Sequence, residues 1–138
     1  MEHVSAKEFT LDEMAKGDLD APVVMLNLLK YRDIAREGFG VDGMTGQAAY
    51  SVYGQKFAAL NPRYGGEPIW MGRAENTIIG DEDWDIVILV RYPTRRQFVE
   101  MIGDPDYQAI APIRAAALED SRLVEMSQIL PAMESQKG

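Results

Sequence analysis

Two stretches of the chain are apolar at successive positions rather than alternate ones, and they say most about its architecture. In Trp84–Pro93 (WDIVILVRYP) an extended backbone turns Trp84, Ile86, Ile88, Val90 and Tyr92 one way and Val87 and Leu89 the other. Val23–Tyr31 (VVMLNLLKY) repeats the pattern, with Val23, Met25 and Leu29 opposed to Val24, Leu26 and Leu28. An antiparallel sheet in a small α+β protein covers one face with helices and leaves the other wet, which gives a clean alternation instead. Two apolar faces need two covers, and a chain of 138 residues is too short for a second helical layer. The cover this implies is a second copy of the same sheet.

The remaining pattern supplies the elements around these strands. Ser5 with Glu8 and Thr10 with Glu13 fit the helix-opening capping box, so a helix is predicted from about Ala6 to Lys16, stopped near Gly17. Asp33–Met44 is charged and glycine-rich and reads as a surface excursion. Thr45 caps a helix in which Ala49, Tyr53, Phe57 and Leu60 recur at helical spacing, ended by Asn61-Pro62. Pro68–Ile79 and Trp84–Tyr92 flank Gly80–Asp83 as a hairpin. Thr94 caps a helix carrying Phe98, Met101 and Ile102 that closes at Gly103. Asp104-Pro105 restarts a helix to about Glu119, which Pro112 is expected to kink or split. Arg122–Leu130 supplies the last strand and Pro131–Gly138 a loose tail. Helix followed by βαββαβ is a ferredoxin-like α+β layer with an N-terminal helix added, and two such layers joined by their bare faces form a dimeric α+β barrel. The whole chain reads as one domain, with a core over 22–130, an extension over 1–21 and a tail over 131–138.

Composition narrows the chemistry. A net charge of −8 argues against nucleic acid, whose phosphates need clustered Lys and Arg, and the pair Arg95-Arg96 does not reverse it. No apolar run approaches a bilayer span and no cleavable leader pattern opens the chain, so a cytoplasmic protein is expected. Zero cysteines excludes disulfides, thiolate nucleophiles and zinc–cysteine sites. His3 is the single histidine and sits near the terminus, which disfavours a serine–histidine triad, a haem ligand or a multi-histidine metal site. No cofactor is therefore expected, and carboxylate, tyrosine, arginine, lysine and amide chemistry remain.

Several motifs carry both a chemical and a plain structural reading. Gly38-Phe39-Gly40-Val41-Asp42-Gly43 matches the dinucleotide fingerprint, but charged residues separate it from the strand and no parallel βαβ unit follows, so it reads as a flexible loop. Asp81, Glu82, Asp83 and Asp85 lack the glycine and glutamate of a calcium loop and read as a solvated hairpin tip. Asn27 is an uncharged polar residue in an apolar central strand and needs a partner, either a ligand or a structural hydrogen bond. Arg73 shares a side with Met71 and Glu75 and, if the hairpin closes at Asp81-Glu82, pairs with Val90 near Tyr92. It then either binds a carboxylate or enolate or serves as an ion-pair partner. Trp70 and Gly72 face the other way, with Gly72 opposite Arg91 and leaving unfilled space. Tyr50, Tyr53, Tyr92 and Tyr107 offer phenol donors to a carbonyl or oxyanion, though aromatics on helix faces also build cores. Arg114, two turns after Tyr107, either closes a pocket or snorkels to the surface.

The segments MLNLLKYR (Met25–Arg32), AYSVYGQ (Ala49–Gln55), YGGEPIWMGRA (Tyr64–Ala74), WDIVILVRYP (Trp84–Pro93) and DPDYQAIAPIRAAALEDSRLV (Asp104–Val124) resemble a bacterial family catalogued as domain of unknown function thirteen-thirty. The resemblance spans roughly Pro22 to Leu130 and implies the dimeric α+β barrel superfamily. It implies little about activity, because that family has no settled reaction. The N-terminal helix and the Asp33–Met44 excursion depart from the family's shorter members. In some oxygenases of the superfamily an asparagine on the first strand helps form the active site, and Asn27 resembles it in position. The first functional reading is a small-molecule binder or cofactor-independent enzyme of isomerase or monooxygenase type. Its candidate ligand contacts are Asn27, Trp70, Arg73, Tyr92, Tyr107 and Arg114. The rival is a non-catalytic structural or regulatory dimer with a solid core, and a cavity of about 300 Å³ or more beside these groups would separate the two.

Overall fold

The computed structural model describes residues 12–14 and 16–132. Residues 12–14 and 16 are helical, and the rest of the predicted N-terminal helix, with most of the tail, lies outside the described residues. The elements are β1 (Val23–Tyr31), α1 (Gly46–Leu60), a 3-10 turn (Asn61–Tyr64), β2 (Glu67–Arg73), β3 (Ile86–Tyr92), α2 (Arg95–Gly103), α3 (Pro105–Ala117) and β4 (Leu118–Met126). The strands form one antiparallel sheet in the order β2-β3-β1-β4, with both double-apolar strands at its centre. This is an α+β, ferredoxin-like arrangement with the helices on one side.

The register sorts side chains into rows that cross all four strands. Trp70, Leu89, Leu26 and Val124 form a row on the bare face, and Met71, Ile88, Asn27 and Leu123 form one facing the helices. On the helix side Val23, Met25, Val90 and Tyr92 pack against Leu60, Phe98 and Met101 in a buried cluster. On the bare face of the single chain Trp70 stays 55% and Val124 44% exposed.

Thr45 and Thr94 cap α1 and α2 as their spacing predicts, each hydroxyl accepting from the backbone N–H three residues on. Four expectations are corrected. First, β2 stops at Arg73 rather than Ile79, and residues 74–85 form a long connection in which Ile78 and Ile79 are 85% and 94% exposed. Asp85 anchors that connection to β1, its N–H donating to Leu29 O (2.8 Å) and its carboxylate accepting from the Tyr31 N–H (2.8 Å). The register also differs, Arg73 pairing with Ile86 rather than Val90 and Gly72 with Val87 rather than Arg91, and the Ala74 N–H donates to Asp85 O at 3.0 Å beyond them. Trp84 precedes the strand and lies under the Arg122 guanidinium, 4.9 Å from its ring centroid. The space above Gly72 is filled by the Trp70 indole, where a Cβ would collide with the ring.

Second, β4 runs over Leu118–Met126 instead of Arg122–Leu130, because β1 pairs with it from Tyr31 opposite Leu118 to Val24 opposite Met126. Third, α3 continues through Pro112 unsplit; the missing N–H deprives only the Gln108 carbonyl of its usual donor one turn on. Fourth, the 33–44 excursion is more than a surface loop. It buries Ala35 and Val41 against Ala49, Ala116 and Ala117, tying the start of α1 to the end of α3. Its glycine-rich run closes on itself, the Gly38 N–H donating to the Asp42 carboxylate at 2.8 Å, as a loop rather than a phosphate cradle.

Candidate functional site

A cavity of about 640 Å³ lies between the sheet and the three helices. The sequence creates it by alternating large and small residues on the faces turned inward. From α1 come Tyr50, Tyr53, Gly54, Phe57 and Ala58, and from α3 come Tyr107, Gln108, Ala111, Pro112, Arg114 and Ala115. Both sets follow helical spacing, so each helix turns one stripe to the sheet, and the glycine and alanines in those stripes leave space that larger residues would fill. The floor is the row Met71, Ile88, Asn27 and Leu123 with Pro68, Val90 and Met25, and the Tyr92 end is closed by Phe98, Met101 and Ile102.

The polar groups fall into three sets. Tyr92 donates to Asn61 Oδ1 at 2.8 Å, with both residues buried, so its phenol is committed to the fold. Burial drives that phenol far above the usual tyrosine range. Removing the hydroxyl would strand a buried amide oxygen. Tyr92→Phe is thus expected to lower stability by about 1–3 kcal/mol in urea unfolding, with little change to the cavity's shape. Asn27 is half-buried in the floor, and its Nδ2 reaches Met25 O and Ile88 O only at 3.5 Å each, the outer limit of a hydrogen bond. Its Oδ1 has no donor among the described residues.

The third set is a tyrosine–arginine cluster. The rings of Tyr50 and Tyr53 are 5.3 Å apart and Tyr53 stacks on Phe57 at 5.6 Å, with Tyr107 edge-on to both Tyr53 and Phe57. The Tyr53 and Tyr107 hydroxyls share one hydrogen bond of 3.3 Å. Arg114 lies with them in the cavity lining. Burial holds the Tyr50 and Tyr53 phenols above the ordinary range, most strongly at Tyr53, where Tyr107 adds to it and the Arg114 cation opposes it. Both are therefore neutral O–H groups at physiological pH.

Of the sequence-selected residues, Asn27, Tyr92, Tyr107 and Arg114 line this one cavity. Trp70 does not, being on the opposite face of the sheet, and Arg73 does not, lying exposed at the end of β2 where the shifted register carries it away from Tyr92. Sequence reasoning passed over Asn61, which it read only as a helix stop, and Gln108. The signal for the cavity itself was the series Gly54, Ala58, Ala111 and Ala115 on inward stripes. Among the described residues no group of three or more His, Asp or Glu is placed to hold a metal ion, and no helix is long and apolar enough to cross a membrane.

Comparison with known proteins agrees with this architecture. A protein of unknown function from Rhodopseudomonas palustris, RPA0582, is 36% identical, with 95% of this chain and 100% of that chain covered at a TM-score of 0.87. A dimeric ferredoxin-like protein of unknown function from Bacteroides fragilis is 18% identical over 78% of this chain and 96% of its own (TM-score 0.53). SnoaB, a cofactor-independent oxygenase from Streptomyces nogalater, is 17% identical over 81% and 99% (TM-score 0.51). These last two share the fold alone. No curated protein matches the sequence. The family model described as domain of unknown function (DUF1330) matches residues 41–127, which hold α1, α2, α3 and most of the cavity lining, and the chain belongs to that family.

Proposed function

We propose that this protein binds an organic small molecule in the cavity between sheet and helices, as a homodimer joined through its bare sheet faces. The observation that carries the reading is the cavity itself. At about 640 Å³ it falls in the usual range of ligand sites, roughly 300–1,000 Å³, and its apolar walls hold only a few convergent polar groups. A module with a solid core has no use for such a space, which weighs against the non-catalytic alternative. The unused Asn27 Oδ1 on the floor and the phenols on the helix walls are suited to orient a polar group on an otherwise apolar ligand.

Isomerisation or cofactor-independent oxygenation are the reactions for which such a site is best equipped. Phenol and guanidinium donors stabilise an enolate or oxyanion without a metal. The oxygenase from Streptomyces nogalater supports only the compatibility of the scaffold with that chemistry. The homodimer is supported by the apolar bare face and by the dimeric relative from Bacteroides fragilis. A cytoplasmic setting is compatible with a sequence free of cysteine.

The test is a thermal-shift screen of small carboxylates, quinones and phenols against the wild type and Ala115→Phe, which fills the cavity from α3. A ligand at a hundredfold excess over its Kd stabilises the wild type by about 2.7 kcal/mol and should leave A115F unshifted. No shift in the wild type with any class would return the protein to the solid-module reading.

A further inference from the structure

We infer that the ligand is an apolar organic acid whose anionic group is received by Arg114, Tyr50 and the Tyr53–Tyr107 pair at the helix wall of the cavity; this rests on the small-molecule reading above. The first ground is charge. Of the described residues lining the cavity, Arg114 is the one with a formal charge, and no Asp, Glu, Lys or His stands among them. The chain as a whole is acidic, at −8, yet the space it encloses is lined by a cation. Long-range repulsion of an anion by the surface is screened beyond about 8 Å at physiological ionic strength, so the local guanidinium decides what is held there.

The second ground is a surplus of donors. Between Tyr53 and Tyr107 one hydroxyl donates and the other keeps its proton. Both Tyr50 and Tyr53 hold their protons at neutral pH for the burial reason already given. Phenol donors thus converge on one wall beside a cation, with no carboxylate among the described lining residues. A carboxylate, phenolate or enolate supplies that acceptor, while the apolar remainder lies over Phe57, Ile88, Val90 and Met25.

Among the described residues the lining also holds no carboxylate, imidazole or amine to take a proton from the ligand. A ligand that is acidic enough to arrive ionised requires none.

Matched acid and neutral probes decide the matter: naphthoate against naphthamide, and decanoate against decanol, titrated at neutral pH by calorimetry into the wild type, Arg114→Gln and Arg114→Lys. The wild type should bind each acid at least about tenfold more tightly than its neutral partner, the worth of one charge-assisted hydrogen bond. R114Q should lose that preference while still binding the neutral probe, which shows the cavity intact, and R114K should keep part of it. Equal binding of acid and neutral probe by the wild type, or a preference that survives in R114Q, overturns the inference and leaves the small-molecule reading standing. If R114Q does not fold, the wild-type ratio and R114K decide. If the wild type binds no probe of either series, the small-molecule reading fails and this inference with it.

Discussion

A lysine at Leu89 is expected to leave the proposed homodimer monomeric, or the chain unfolded. Leu89 sits on β3 in the centre of the bare-face row, between Trp70 on β2 and Leu26 on β1, with Val124 next beyond Leu26. Packing this face on its copy would carry the ammonium into a layer where its own row offers only apolar side chains. Such a charge, dry and unpaired, costs on the order of several kcal/mol, comparable with the whole stability of a domain this size. Light scattering at micromolar concentration reads the outcome directly. The wild type should scatter as a dimer, and a monomeric wild type would remove the assembly.

The second large effect is expected at Gly46, the first residue of α1. Its N–H donates to Arg32 O at 3.0 Å, and Arg32 in turn donates from its own N–H to Ala117 O at 2.9 Å. Three segments meet there: the exit of β1, the start of α1 and the junction of α3 with β4. A Cβ at Gly46 would overlap the Arg32 carbonyl and stand 2.6 Å from Ala117 O, both of them backbone atoms that cannot rotate aside. Gly46→Ala should therefore cost about 3 kcal/mol or more in urea unfolding, at the upper end of overpacking effects. It should also weaken ligand binding, since α1 and α3 are the walls of the cavity. Gly54→Ala is the control. It lies inside the same helix with open space around its Cβ position and should gain about 0.5–1 kcal/mol.

How far the sequence reaches can be judged from individual residues. The two central strands were legible because Val23–Tyr31 and Trp84–Tyr92 are apolar at successive positions, a pattern that only a doubly covered strand sustains. The starts of α1 and α2 were legible because Thr45 and Thr94 act through atoms three residues away. Element order and the α+β class follow from those local signals, which need no knowledge of distant contacts.

Where β2 and β4 stop was not legible, because an edge strand ends where its neighbour ceases to pair. The connection over 74–85 is anchored where Asp85 bonds to β1, and those bonds join residues 54 and 56 positions apart in the chain. Placement of Arg73 and Trp70 outside the cavity follows from the same register, since the side and depth of a strand residue are set by its partner across the ladder. Asn27, Tyr107 and Arg114 could be named from composition and spacing, and the fold alone put them on one cavity. The sequence by itself determined which strands are central, that both their faces are apolar and which polar residues stand among apolar ones, because these are properties of periodicity. Only the tertiary structure decided register, cavity and the meeting of Arg114 with the tyrosines, because each depends on contacts between residues that periodicity does not relate.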